Sequence, residues 1–430
     1  MNSYIHKINY FFIVLCIAWT PVHIYILRTD AAGRTLLFVS FVALLGSLWL
    51  LQWKRYLLLL KNPVFLCWTA LVVFSLLNSM IKGYDDVWGF WHFVRYNYFQ
   101  PYLFLAVILI EFAKNRTKCL YALLTGLLLY LILGAVHMTV GREGRIEAQE
   151  LGNMLALNAA TTIFVTCVSY NYNLLSKKFF YGMVAFCLFI IMMSATRKAL
   201  GASVFLLAGF WISRNSDTSL KSFFQLALFA LVAYFSLSYI SENTLLGQRV
   251  STEQTKTLSE MAGYKHMNAF LAVLTGDRAL HYVMGFELFL KNFWTGIGIA
   301  NFMKTTGFVV RLHTEYMVQL CENGIIGFSL LISVYVLLLR KLIRKILAGQ
   351  RMVIMGLSGL FALLFLNITA WTYNLLFAMI FYALIIDYAY HKERNLRMWN
   401  RAELLEAVRR LLSKDTTRKP LKELTKKKSV

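Results

Sequence analysis

Runs of about twenty residues with almost no charge recur along the whole chain, and they decide what it can fold into. The stretch 63–81 contains no Asp, Glu, Lys or Arg at all. A helix needs about 20 apolar residues to cross the hydrocarbon core of a bilayer, and it satisfies its backbone polar groups internally. That ruler predicts about twelve spans, at 10–27, 35–52, 63–81, 97–113, 119–139, 152–171, 179–195, 199–213, 223–240, 319–339, 352–369 and 373–390. The fold class is therefore an all-α polytopic membrane protein. Composition agrees, with 59% hydrophobic and only 15% charged residues, where globular chains carry about 45–50% and 25%. A net charge of +23 would suit a nucleic-acid partner, but the apolar content excludes one. Membrane lipid is the partner it implies.

The positive charge is placed as a membrane topology requires. Lys54, Arg55 and Lys61, then Lys114, Arg116 and Lys118, then Lys177 and Lys178, then Arg214 and Lys221, then Arg340, Lys341, Arg344, Lys345 and Arg351 occupy alternate connections. The other connections are poorer in Lys/Arg or balanced by acids. The positive-inside rule then puts both termini in the cytoplasm. The run 1–240 holds spans one to nine, 241–318 forms a long outer loop, 319–390 holds the last three spans, and 391–430 is a basic tail. That tail carries thirteen Lys/Arg against five Asp/Glu and is expected to lie on anionic lipid. No small-residue cleavage site follows the first apolar run, which is read as a span. Six cysteines stand singly, without ligand or disulfide spacing, and are read as small core hydrophobes. Within the outer loop, Asp277 is placed to cap a helix from Arg278 to about Lys291. Ala279, Val283, Phe286 and Leu290 form its apolar stripe. Such a helix would lie along the outer interface and end at Gly296-Ile297-Gly298.

Function is best sought where charges break the pattern, since ionisable groups at membrane depth are costly. Arg197 and Lys198 stand on the outer side with almost no loop to solvate them. Arg142, Glu143, Arg145, Glu147 and Glu150 crowd a second outer loop before Gly152-Asn153. Arg278 stands at a helix N-terminus, where an anion also meets free backbone N–H groups. His313 directly precedes an outer span end, with Glu315 and Glu322 following. Spacing brings Glu315 near Gln319 and His313 near Tyr316. Guanidinium groups bind phosphate bidentately, and a histidine can take a proton from an attacking hydroxyl. No Asp/Glu cluster of the kind that holds a divalent metal on a diphosphate is present in the sequence. The pattern suits a phosphorylated substrate and an acceptor hydroxyl on the outer side.

Four segments together carry a resemblance. Arg145-Ile-Glu through Gly152-Asn153, Thr196-Arg197-Lys-Ala-Leu200, Gly276-Asp-Arg278 through Gly296-Ile-Gly298 to Asn301-Phe302, and His313-Thr-Glu-Tyr through Glu322-Asn-Gly324 to Gly327 resemble the bacterial O-antigen ligase/polymerase family. The resemblance runs from about residue 140 to 385. It implies a GT-C-like glycosyltransferase of the bacterial inner membrane, working on the periplasmic face. The implied donor is a glycan on undecaprenyl diphosphate. The implied acceptor is a sugar hydroxyl of lipid A–core in ligases, or a second lipid-linked glycan in polymerases. Neither metal nor nucleotide cofactor is implied. Arg197 and Arg278, with Arg145 and Lys198, would hold the diphosphate, and His313 would activate or orient the hydroxyl. Glu315 and Glu322 would support the histidine.

Gly324 and Gly327, falling after His313 as in ligases, favour the ligase. Thr314 departs from the ligase pattern of Asn, Ser or Gln at that place. The Arg-then-Gly spacing of some polymerases is missing from the outer arginines. A lipid-linked glycan transporter is the alternative of another class. Transporters usually carry repeat-related halves, whereas here one long loop and the unusual outer charges make the chain asymmetric.

Overall fold

The computed structural model describes residues 2–21, 52–83, 100–140, 145–194, 196–214, 279–299, 301–306, 312, 314–348, 350–369 and 376–390. The chain divides into Met1–Tyr390 and His391–Val430, and the second unit lies outside the described residues, as does the expected lipid-bound tail. Every regular element among the described residues is a helix. They are α1 (Asn2–Pro21), α2 (Pro63–Lys82), α3 (Gln100–Val140), α4 (Arg145–Asn171), α5 (Lys177–Met193), α6 (Arg197–Arg214), α7 (Ala279–Lys291), α8 (Asn301–Thr306), α9 (Glu315–Leu347), α10 (Val353–Thr369) and α11 (Leu376–Tyr390). Among the described residues, four stretches, Pro63–Lys82, Pro101–Val136, Gly152–Asn171 and Glu315–Leu347, are long and apolar enough to cross a membrane. Shorter apolar helices at Tyr4–Ala18, Val353–Ile368 and Leu376–Tyr390 accompany them. The expected span 35–52, apart from its last residue, and the expected span 223–240 fall outside the described residues.

Local chemistry sets the helix ends. Asn62 caps α2, its Oδ1 accepting from the Val64 N–H at 3.0 Å, and Pro63 opens the helix, where its missing N–H costs nothing. The expected spans 97–113 and 119–139 are two arms of α3, broken at Asn115 (φ −153°, ψ 89°). Asn115 Oδ1 then accepts from the Lys118 N–H at 3.1 Å, capping the second arm. One expectation is corrected: Arg145, Glu147 and Glu150 do not belong to a loop but to the first turns of α4. α9 is likewise longer than the span 319–339, because Arg340, Lys341, Arg344 and Lys345 are helix formers that carry it on to Leu347.

α11 is the axis of the bundle. Every residue from Phe377 to Ala389 is buried, and α3, α4, α9 and α10 pack around it. A helix apolar on all sides can be satisfied only by such enclosure. α1 packs on α3, α2 on α9, and α10 lies against α6, α9 and α11.

One end of the bundle gathers the basic connections. Arg116, at the break in α3, reaches Asp387 near the end of α11, with Nη2 donating to Oδ1 at 2.9 Å and Nε 2.8 Å from Oδ2. Its Nη1 donates to the Tyr172 hydroxyl at 2.7 Å. Lys345 donates to the Tyr388 carbonyl at 2.8 Å, and Arg214 stacks over Tyr170 at 4.5 Å. Nearby on α3, the fully buried Glu111 accepts from Asn9 and lies 2.9 Å from His6 Nδ1. Gln52 donates to Asn9 Oδ1 at 3.1 Å. The arginine–aspartate pair ties three elements, so removing one partner strands a buried charge. Asp387→Ala is expected to cost about 3 kcal/mol, read as a lower unfolding midpoint in detergent. Arg116→Met combined with Asp387→Leu should recover much of that loss.

Candidate functional site

At the opposite end, a helix break is closed by one short segment. α9 is interrupted at Gly324 (φ 61°, ψ −164°), which leaves carbonyls before the break and N–H groups after it without helical partners. The segment 293–298, just beyond α7, supplies them. Ile297 N–H donates to the Cys321 carbonyl and Gly298 N–H to the Glu322 carbonyl, both at 2.9 Å. In return, Ile325 N–H donates to the Phe293 carbonyl at 2.8 Å and Ile326 N–H to the Trp294 carbonyl at 3.3 Å. The backbones approach so closely that a Cβ on Gly296 would lie 2.5 Å from the Glu322 carbonyl carbon. One on Gly324 would lie 2.5 Å from the Trp294 carbonyl. α2 locks this clasp from the side. Asn78 Nδ2 donates to the Thr295 carbonyl at 2.6 Å and to the Glu322 carbonyl at 3.2 Å. Ser79 Oγ accepts from the Ile299 N–H at 2.8 Å.

The clasp holds α7 beside the first arm of α9, both running in the same direction. Leu312 packs over Gly285, and Met284 and Leu288 pack against Ile297, Phe302, Leu312, Val318 and Cys321. The expected stripe of Val283, Phe286 and Leu290 therefore does not face α9: those side chains are exposed, and Gly285 and Phe289 form the buried face. Periodicity located the helix but not which of its two apolar sides finds a protein neighbour.

A second pairing joins α4 to α6. The Thr196 hydroxyl donates to Asn153 Oδ1 at 2.9 Å, so the segment opening α6 is tied to the early turns of α4. Gly201, one turn into α6, meets the ring of Phe365. The Tyr316 hydroxyl donates to the carbonyl of the adjacent Leu364 at 3.3 Å. The N-terminal ends of α6 and α9 thus stand at one level on two sides of α10.

The expected site residues distribute over this end as follows. Arg145 opens α4 and Arg197 opens α6; Lys198 is half-buried on α6. Arg278 and His313 lie outside the described residues, but their neighbours are placed. α7 begins at Ala279. Leu312 is buried against α7, and Thr314 caps α9 by accepting from the Met317 N–H at 3.2 Å. Glu315 is 1% exposed and, as its spacing predicts, meets Gln319, whose Nε2 donates to Glu315 Oε1 at 2.9 Å. Asn323 Nδ2 extends the ladder to Gln319 Oε1 at 2.8 Å. Glu322 is buried at the break, where its main-chain carbonyl serves the clasp. Asn78, Ser79 and Asn323 were not singled out from the sequence. Polar side chains one turn before Lys82 in an otherwise apolar span, and amides four residues apart behind Glu315, were the available signals.

These features define a class before any comparison: a helical membrane protein with a polar, glycine-clasped end assembled from α2, α4, α6, α7, α9 and α10. Residues 182–332 match the family model described as O-antigen ligase. The match supports an O-antigen ligase-like family, with ligase- or polymerase-type glycan chemistry in general. It contains Arg197, Lys198, Arg278, His313, Glu315 and Glu322, both sides of the clasp and three of the four resembling segments. Arg145–Asn153 falls outside it. No curated protein matches the chain.

Proposed function

We propose that this protein is an O-antigen ligase of the bacterial inner membrane. It transfers a glycan from undecaprenyl diphosphate to a sugar hydroxyl of lipid A–core on the periplasmic face, without metal or nucleotide. The observation that carries the reading is the O-antigen ligase match over the stretch that holds Arg197, Arg278 and His313. In this reading Arg197 and Arg278, helped by Lys198 and Arg145, hold the donor diphosphate. The acceptor oxygen attacks the anomeric carbon while the bond from that carbon to the phosphate oxygen breaks. His313 takes the hydroxyl proton. The electron pair leaves on the diphosphate, where fixed cations stabilise it. Attack opposite the leaving group inverts the anomeric centre. Buried Glu315, held by the amide ladder, keeps the start of α9 rigid beside the histidine.

The second reading is a polymerase with the same site and a second lipid-linked glycan as acceptor. Gly324, half of the motif that favours the ligase, serves the clasp, a structural need that both activities share. The deciding experiment gives purified protein in nanodiscs an undecaprenyl-diphosphate-linked glycan in EDTA, with lipid A–core or a second lipid-linked repeat as acceptor. Product on lipid A–core is expected. A ladder of lengthened lipid-linked glycan would make it a polymerase. Neither product, with the glycan lipid still crossing liposome bilayers, would make it a transporter.

A further inference from the structure

We propose that the C-terminal end of α7 is inserted into the outer leaflet of the membrane, with Leu290, Phe293 and Trp294 meeting lipid and Phe286 and Val283 rising through the headgroup level. α7 has two apolar sides. One, through Met284, Gly285 and Leu288, packs toward α9, with Phe289 buried beside it. The other carries Val283, Phe286 and Leu290, continues through Phe293 and Trp294, and is 41–68% exposed at each of these side chains. Between the two sides the only charges on the helix are Glu287 and Lys291. A helix apolar on both sides has no water-facing side broad enough for a surface helix.

Two independent rulers set its depth. α9 carries its basic run from Arg340 onward, which marks the inner boundary of the hydrocarbon core. At 1.5 Å per residue, Glu322 lies about 27 Å outward from Arg340. α2 leaves the same boundary after Lys61, and Asn78 lies about 22 Å along it from Pro63. Both residues bond to the clasp. Against a core of about 30 Å, the clasp and the C-terminal end of α7 lie about 3–8 Å inside the hydrocarbon. Tilt of either helix only increases that depth. Exposed apolar side chains also stand beside the clasp on the neighbouring helices, at Ile326 of α9, whose N–H bonds to Trp294, and at Leu77 and Ile81 of α2, which flank Asn78 and Ser79. Because α7 runs alongside α9, it descends into the leaflet instead of lying flat on the interface, as its periodicity alone had suggested. In the proposed reaction this places the helix after Arg278 in the leaflet of a lipid-linked donor. The embedding itself rests on packing and depth, and stands whichever acceptor the enzyme uses.

The test is a nitroxide scan of full-length protein in phosphatidylethanolamine/phosphatidylglycerol bilayers. Labels go one at a time at Val283→Cys, Phe286→Cys, Leu290→Cys and Trp294→Cys, with Glu287→Cys and Lys291→Cys on the flank. Cys67, the one native cysteine among the six that is not buried, is replaced by Ser in every variant. All labelled side chains are exposed, so little packing is lost, and an unchanged unfolding midpoint qualifies each variant. Collisions with oxygen should exceed those with a water-soluble nickel chelate at 290 and 294 and give way to nickel toward 286 and 283, with depth increasing from 283 to 294. Dominant nickel collisions at 290 and 294 would show that this end faces water. Low collisions with both reagents would show that protein covers it. Either result overturns the proposal, and neither bears on the transfer assay.

Discussion

Arg278→Ala is expected to lower glycan transfer by about 100- to 1,000-fold, the usual loss when one preorganised group facing developing charge is removed. In the proposed reaction a diphosphate oxygen gains charge as the sugar leaves, and a fixed guanidinium meets that charge more strongly in the transition state than in the bound donor. The loss should therefore fall mainly on kcat, with a smaller change in KM for the glycan lipid. Arg278→Lys keeps the charge but not the two-pronged geometry, and should recover only part of the rate. His313→Ala should lose about 100- to 10,000-fold if the imidazole is the base, and the remaining activity should lose the acid limb of the pH profile. Because both residues serve one transition state, the double variant should cost less than the product of the single losses. Initial rates with both substrates varied separate these outcomes. Wild-type rates in Arg278→Ala would remove that residue from the mechanism.

Gly324→Ala carries the largest expected structural effect. Its backbone (φ 61°, ψ −164°) lies in a region essentially reserved for glycine. An added Cβ would stand 2.5 Å from the carbonyl carbon and oxygen of Trp294. Strain of about 1–3 kcal/mol and overpacking of similar size combine to about 2–6 kcal/mol. Neither neighbour can yield, because both are backbone. Gly296→Ala should behave alike, since its Cβ would meet Cys321, Glu322 and Asn323 main chain within 2.6 Å. The two should be far from additive, as either alone opens the same clasp. Gly182→Ala is the control: nothing lies within 4 Å of its Cβ, and alanine inside α5 should stabilise by about 0.5–1 kcal/mol. Unfolding midpoints and yield in detergent give the readout. A stable, active Gly324→Ala protein would mean that the clasp is dispensable.

Much of the bundle is legible in the chain. Apolar runs locate α2, α5, α6, α10 and α11 to within a few residues, because length and hydrophobicity alone decide whether a helix can be buried in lipid. The ends of helices are less legible. α4 extends outward through Arg145, Glu147 and Glu150, charges that a hydropathy ruler discards although they are good helix formers. At the site, periodicity recovered the contact between Glu315 and Gln319, since four residues are one turn. It could not find Asn78, whose two partners lie more than two hundred residues away.

The sequence by itself determined that this is a helical membrane protein, which connections are basic, and where charge departs from the membrane rule. Those properties follow from local composition, period and sign, and need no knowledge of neighbours. Only the tertiary structure decided what the glycines are for. Gly296 and Gly324 look like loop punctuation in the chain, but they are where two backbones come into contact and exchange hydrogen bonds. Only the tertiary structure, too, gave one apolar side of α7 to the protein and left the other exposed. A helix with two apolar faces cannot state its own orientation; the packing partner that takes one face determines what is left for the other.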